Sequence, residues 1–462
     1  MNCVHLRQGL KPSRCQQALL VLVQHNCVLP LQTMNSDDDV VYKIEIDDIL
    51  HRLRYPRFLL HVRECLGKTH ELLLEGLLEH GRLRSHQLFA RASASPGYDN
   101  HSNQGKTLED IFGQLVEGRF VERVPIGYGS NQDSDSGGEA GQEGSQATEH
   151  KKTNDVQSRS AIHDDGNKLS AEVVGLGEED DALWRVNANE FNRRFRHIAC
   201  AALVREKVDQ SAGHLLLTML EISRGHEVKV DEERSTSVTE ADIMQKLSGQ
   251  GAPMQIKNMK SALEKLSADT SELISCIGNT HGGANYCVNM RRIIDLIRIK
   301  EIEAVVRERF GGPACRIFRL LLLKRNLEQK QIAEMAMIPV KDTRELLYKL
   351  LKAEYVQIQE VARTSDHAPS RTFYLWRVDL LRVVEQVGRD LYRATSNLRA
   401  RLMYELSQEK ETLMLLERAQ DKSTIPLTTG QRQNLVRMRT KATRLEGAIM
   451  RIDELVLIFN VM

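Results

Sequence analysis

Aromatic residues are scarce in this chain, 5% of 462 positions, and no apolar run approaches the roughly 18 residues that a membrane-spanning helix needs, so none is expected. The eight cysteines, Cys3, Cys15, Cys27, Cys65, Cys200, Cys276, Cys287 and Cys315, contain no CxxC pair. That spacing argues against a zinc ribbon or a disulfide framework and fits a reducing compartment. An excess of either charge is also missing: 64 Lys and Arg face 63 Asp and Glu. No global positive field therefore recruits nucleic acid or a membrane surface, and any such binding must come from a local patch. The opening residues, Met-Asn-Cys-Val-His, lack the charged then apolar pattern of an export signal, which points to the cytoplasm or nucleus.

The motifs of enzymes are missing as well. HExxH, GxSxG and GxxxxGK[ST] do not occur, and His61, His70, His80 and His86 are separated by nine, ten and six residues, not by ligand spacing on one helix. Gly127-Tyr-Gly129 and Gly175-Leu-Gly177 do not sit between a strand and a helix, so neither forms a phosphate cradle. Asp133, Asp135, Asp164, Asp165 and the run EEDD at 178–181 offer weak cation ligands, but ordering a polar run costs more than such contacts return. No catalytic residue, cofactor or metal site is expected.

At 52.5 kDa the chain is too long for one core, and roughly 100 to 200 residues per domain implies three or four. A boundary is plain at 126–182, where 13 acids face 4 bases and periodic apolar residues vanish. That composition predicts a disordered acidic linker. Before it lie two pieces with a common plan. Residues 15–25 (CQQALLVLVQH) repeat apolar positions at helical spacing and precede a β-ribbon at 28–31 and 40–46. Residues 69–80, 85–92 and 108–117 read as three helices, followed by an extended segment from Phe120. The plan returns after the linker, with helices at 191–209, 213–221, 239–247 and 256–266 and paired strands at 273–278 and 284–289 around His281-Gly-Gly. A further copy has helices at 315–324, 328–336 and 340–352 and strands at 356–361 and 372–378.

Three helices and a two-stranded ribbon make the winged-helix form of helix-turn-helix, which docks either on DNA or on protein. The fold expected is mainly α: tandem winged helices with a C-terminal antiparallel coiled-coil hairpin. The units are a partial first winged helix at 1–50, a second at 51–125, the acidic linker at 126–182, a third at 183–299, a fourth at 300–379 and the hairpin at 380–462. In the hairpin, Leu435, Met438, Ala442, Leu445, Ile449, Ile452, Val456 and Phe459 alternate intervals of three and four, which keeps an apolar seam on one face. Pro426 and Gly430 mark the reversal.

The fourth unit holds a local charge excess, 12 Lys or Arg against 8 Asp or Glu between Pro313 and Asp379. On its candidate recognition helix Lys341, Arg344, Tyr348 and Lys352 share a stripe, while Val340, Leu347 and Leu350 are expected to face the core. Such a stripe suits phosphate contact without base reading. A merely solvated face is the alternative, because Asp342 and Glu345 dilute it. Arg316 and Arg319 flank apolar Ile317, Phe318 and Leu320 to Leu323 and are expected to mark the edges of a buried helix.

Residues 310–378, above all EQKQIAEMAMIP and DHAPSRTFYLW, resemble the fourth winged helix of the third-largest, C82-type subunit family of DNA-directed RNA polymerase III. LLVLVQHNCV at 19–28, LRYPRF at 53–58 and WRVNANEFNRRFR at 184–196 extend the resemblance along the chain. It implies a non-catalytic subunit in a polymerase-III-specific heterotrimer with two smaller subunits. That module sits on the polymerase clamp in the nucleus, contacts initiation factors and promoter DNA, and assists promoter opening for small non-coding RNAs such as tRNA and 5S rRNA. RNA synthesis belongs to the largest subunits, whose metal-binding motif NADFDGD has no counterpart here. Family members carry further helices ahead of the segment matching 15–28, so the first unit is expected to be partial and to expose Leu19, Leu20 and Leu22. Two other classes share the fold: a free-standing DNA-binding regulator, and a scaffold whose winged helices bind only protein.

Overall fold

The structure is a computed structural model and describes residues 11–32, 40–95, 107–124, 182–249, 256–280, 283–362, 372–410, 413–414 and 428–460. It is mainly helical and divides into two compact units, one formed by residues 1–55 and 59–187, the other by 56–58 and 188–462.

In the first unit, Pro12 sits in the first turn of α1 (Pro12–Gln24), where its missing N–H costs nothing. The antiparallel ribbon β1 (Val28–Gln32) and β2 (Val40–Ile44) follows. Apolar side chains here are only partly covered: Leu20 is 68% exposed and Ile44 63%. Helices α2 (Ile46–His51) and α3 (Tyr55–Cys65) lead into the next module. Its core is built from α4 (Lys68–His80), α5 (Ser85–Ala94) and α6 (Leu108–Glu117), which bury Leu73, Leu77, Leu88, Ile111 and Leu115. Thr107 starts α6 as a reciprocal cap: its hydroxyl oxygen accepts from the Asp110 N–H, and Asp110 accepts from the Thr107 N–H at 3.0 Å. Gly81 ends α4 at φ +79°, and a Cβ there would stand 2.2 Å from the Gln24 carbonyl oxygen. Only glycine admits both that conformation and so close a backbone approach.

The sheet of this module has the order β3-β5-β4, from β3 (Leu83–Arg84), β4 (Val121–Arg123) and β5 (Leu183–Val186). Val121 pairs with Val186 and Arg123 with Trp184, and Trp184 lies edge-on to Phe112 at 5.0 Å. The sequence pattern assigns residues 183–186 to the opening of the third module. They pair with β3 and β4 in the sheet of the second instead. β5 is the central strand, and its backbone groups pair with β3 on one side and β4 on the other. The disorder expected for 126–182 concerns residues outside those described, Ala182 excepted.

The second unit starts with α7 (Ala188–Lys207) and α8 (Gln210–Ser223), joined by an Asp209 side chain that accepts from the Ala212 N–H at 2.6 Å. Strands β6 (Val238–Thr239), β7 (Ile274–Thr280) and β8 (Gly283–Val288) form a sheet of order β6-β8-β7, beside α9 (Glu240–Gly249) and α10 (Ile256–Ala268). The 21-residue α11 (Met290–Phe310) carries the chain onward and buries Ile293, Ile297, Ile302 and Val306 in one core shared with its neighbours. A module boundary at 299/300 therefore falls inside a continuous helix. The fourth module comes next: α12 (Gly312–Lys324), β9 (Leu327–Glu328), α13 (Gln329–Ala336), α14 (Val340–Lys352), β10 (Gln357–Ala362) and β11 (Thr372–Arg377), with sheet order β10-β11-β9.

Two long helices complete the unit, α15 (Leu380–Gln408) and α16 (Thr429–Asn460). They run antiparallel: Lys441 meets Glu405 at 2.9 Å, while at the other end a Cβ on Gly388 would lie 2.9 Å from Asn460. Leu435, Met438, Ile449, Val456 and Phe459 are buried along the seam. The reversal read at Pro426 lies outside the described residues.

Candidate nucleic-acid interface

The fourth module positions its surface through a set of caps. Gly311 at φ +88° ends α11 and opens α12, and Pro313 fits the first turn. Glu328 and Gln331 cap α13 reciprocally, and Met337 ends it in the left-handed region at φ +55°. Ile317, Phe318, Leu321, Ile332, Leu347 and Leu350 close beneath. These contacts fix α14 as the second helix of the turn, with one side in the core and one in water.

Lys341, Arg344, Tyr348 and Lys352 all lie on the wet side. Among the described residues no carboxylate pairs with Lys341, Arg344 or Lys352, whereas Lys349 is held by Glu345 at 2.7 Å across one turn. The Lys349 ammonium, and behind it Lys341, keeps the Glu345 carboxyl below the usual carboxylate range. That carboxylate weakens the field near the start of the helix but leaves Arg344 and Lys352 unopposed. Tyr348 is 54% exposed and stands perpendicular to Trp376 at 5.6 Å between ring centroids. Trp376 is buried and pairs in register with Ile358 and Leu327, so the tyrosine is braced against the central strand of the wing.

Two expectations fail in this module. Val340 is 52% exposed, and Thr343, fully buried, takes the core position instead. Its hydroxyl donates to the Ile338 carbonyl at 3.3 Å, so a polar side chain enters the core with its hydrogen bond made. Leu323 is 81% exposed, because the apolar face of α12 ends with Leu321. Arg316 donates to the Ala336 carbonyl at 3.0 Å and Arg319 to Glu303 at 2.7 Å, and both thus serve helix ends and neighbours. Sequence reasoning also missed Met335 and Met337, 46% and 87% exposed at the turn that precedes Val340. Their only signal was methionine at a helix-ending turn.

A second charged cluster, on α7, has the opposite character. Glu190, Arg193, Arg196, His197 and Glu227 are all buried. Arg196 donates to Glu227 at 3.0 Å, Arg193 to Glu190 at 2.7 Å, and Arg194 to Glu190 at 2.9 Å. His197 Nε2 stands 3.1 Å from Glu227 Oε1, near enough for Coulomb attraction though not aligned as a hydrogen bond. Burial lowers the His197 pKa, with Glu227 opposing. For Glu227 burial raises the pKa, but His197, Arg196 and Arg193 outweigh it and hold the carboxyl below its usual range. This cluster binds residues 227–232 to α7, with Arg193 also donating to the Val228 carbonyl and Arg196 to the Glu232 carbonyl. Among the described residues no three His, Cys, Asp or Glu side chains converge as metal ligands.

The repeated trihelical cores, each with a sheet whose short strand precedes a helix of the turn, define a tandem winged-helix protein. Residues 302–378 match the family described as POLR3C, C-terminal winged-helix domain, and residues 110–297 match RNA polymerase III subunit RPC82. The chain is 28% identical to DNA-directed RNA polymerase III subunit RPC3 of Bos taurus over 98% of this chain and 90% of the relative. It is 27% identical to RPC3 of Homo sapiens over 98% and 90%, and 24% identical to rpc3 of Dictyostelium discoideum over 88% and 86%. The chain belongs to this RPC82/RPC3 family of RNA polymerase III subunits.

Proposed function

We propose that this chain is a non-catalytic subunit of DNA-directed RNA polymerase III, acting in transcription initiation. The observation that carries the reading is collinear likeness to RPC3 over 98% of the chain, across all modules and the hairpin. On this reading the chain works in the nucleus, docks on the clamp of the polymerase with two smaller polymerase-III-specific subunits, and meets initiation factors. The exposed cations Lys341, Arg344 and Lys352, with Tyr348 braced on the wing, contact the backbone of promoter DNA and stabilise its opened form. The units proposed remain four tandem modules and a hairpin, with the second module extended to residue 186 and the third beginning at α7.

Physical chemistry supports this division of labour. A chain of net charge +1 has little long-range pull on DNA, so it acts where a larger assembly has already brought the duplex near. Affinity purification of the tagged chain is expected to bring down the polymerase III core, and recovery without it sinks the proposal. In the purified polymerase, K341E/R344E/K352E should slow promoter opening at least about tenfold, from three lost phosphate contacts, without dissociating the subunit. Unchanged opening would assign this face to protein contact alone.

A further inference from the structure

The hairpin carries a second cationic surface that neither the family likeness nor the module plan assigns. In the seven-residue register of its buried seam, Arg437, Arg444 and Arg451 recur at every seventh position of α16. Arg432 and Arg439 form a parallel column on the other side of the outward face. Seven residues advance ~10.5 Å, so each column is a straight row of guanidinium groups. All five arginines are exposed, and among the described residues no carboxylate pairs with any of them. From Thr429 to Leu445 the helix contains no acid at all, and there only Lys441 is neutralised, by Glu405.

Between the columns the side chains are small. Thr440, Thr443 and Gly447 form the floor of a shallow trough whose walls include Arg439, Arg444 and Arg451. A Cβ on Gly447 would meet nothing within 4 Å, so the floor is open to an incoming group. Five such guanidinium groups on one helix face repel one another, a cost that salt screens and that an anionic partner with charges in a row relieves.

We propose that this face of α16 is a docking surface for duplex DNA, in which the trough receives one phosphodiester strand and the two arginine columns straddle it. Guanidinium forks grip phosphate oxygens in pairs, and the Thr443 hydroxyl donates to the same oxygens, while the Thr440 hydroxyl donates to the Val436 carbonyl at 2.9 Å. A stiff duplex, with a persistence length of about 50 nm, presents its phosphates to a straight helix without being ordered first. Single strands are held by aromatic platforms, and no Phe, Tyr or Trp occurs between Arg432 and Arg451. An acidic peptide would have to pay ordering entropy and would find only Val436 as an apolar anchor. The contact is blind to sequence, because nothing on this face reaches a base edge selectively.

The test uses the full-length chain and a fluorescein-labelled duplex of about 30 base pairs and arbitrary sequence, read by anisotropy between about 50 and about 200 mM salt. R437Q/R444Q/R451Q is expected to bind at least about tenfold more weakly at low salt, with a log–log salt slope shallower by about 2 to 3. Its thermal midpoint should stay within about two degrees of the parent chain, since exposed substitutions rarely change stability. Unchanged affinity and slope overturn the proposal, as does equal binding of a single-stranded oligonucleotide of the same length. Equal competition by polyglutamate per unit charge also overturns it and assigns the face to an acidic protein. A parallel K341Q/R344Q/K352Q chain separates this surface from α14. If only the α14 variant loses binding, the α16 proposal falls; if only the α16 variant does, the α14 reading falls.

Discussion

Two helices of the second unit are rich in cations and use them in opposite ways. On α7, Arg193 and Arg196 are buried and surrounded by Glu190 and Glu227; on α14, Lys341, Arg344 and Lys352 stand in water without a carboxylate partner among the described residues. The α7 charges hold residues 227–232 against a helix and serve stability. The α14 charges contribute almost nothing to the fold and are free for a partner. The difference comes from the surroundings of each helix: an acid beyond α8 draws the α7 side chains inward, whereas Thr343, Leu347 and Leu350 already fill the inner side of α14.

The sharpest break is Glu227→Ala, which leaves Arg196 and His197 buried without their carboxylate. Loss of one partner in a buried ion pair costs about 3–5 kcal/mol, and urea denaturation of the full chain should show it as an early transition of the second unit. A change below about 1 kcal/mol would mean that water reaches the cluster and that the two helices are alike after all.

A second effect is pH dependence confined to α7. His197 titrates below its ordinary 6.5 in the folded chain, and Glu227 below its ordinary 4.5. Both groups take up a proton more readily when unfolded, so the stability they confer is complete above pH 6.5 and is lost as the pH falls, first through His197 and then through Glu227. The thermal midpoint of the second unit should decline from pH 6.5 toward 4.5, and His197→Gln should flatten the upper part of that decline. A midpoint that rises on acidification has the wrong sign for this cluster.

Smaller still is Tyr348→Ala, which removes the edge contact with Trp376 and should cost about 0.5–1.5 kcal/mol. Tryptophan emission reports it, since Trp184 and Trp376 are the only tryptophans. Least of all, Arg344→Ala should alter stability by no more than about 0.5 kcal/mol while weakening DNA contact, measured by denaturation and anisotropy on one sample. Equal losses in both would make Arg344 part of the fold.

Much of this was legible in the residues. The strict three-four alternation of the last helix fixed the seam of the hairpin, and the bounds of α14 could be read at 340–352 because amphipathic spacing and Pro339 agree there. The stripe on α14 was legible for the same reason. What escaped depended on distant partners. LWRV at 183–186 has no local feature that says which sheet it joins, since its partners Leu83 and Val121 lie far upstream. The helix read at 191–209 has no local feature that says Arg193 and Arg196 are buried, since Glu227 meets them only after the α8 turn. Val340 and Thr343 exchanged places because a helix start defines its inward side only after the preceding turn is set.

Because β5 lies after the 125–181 stretch rather than before it, the second module is made complete only when synthesis has passed residue 186. A protease cut between β4 and β5 would therefore yield two fragments clasped by strand pairing and by Trp184 against Phe112, so a nicked chain should elute as one species until denaturant is added.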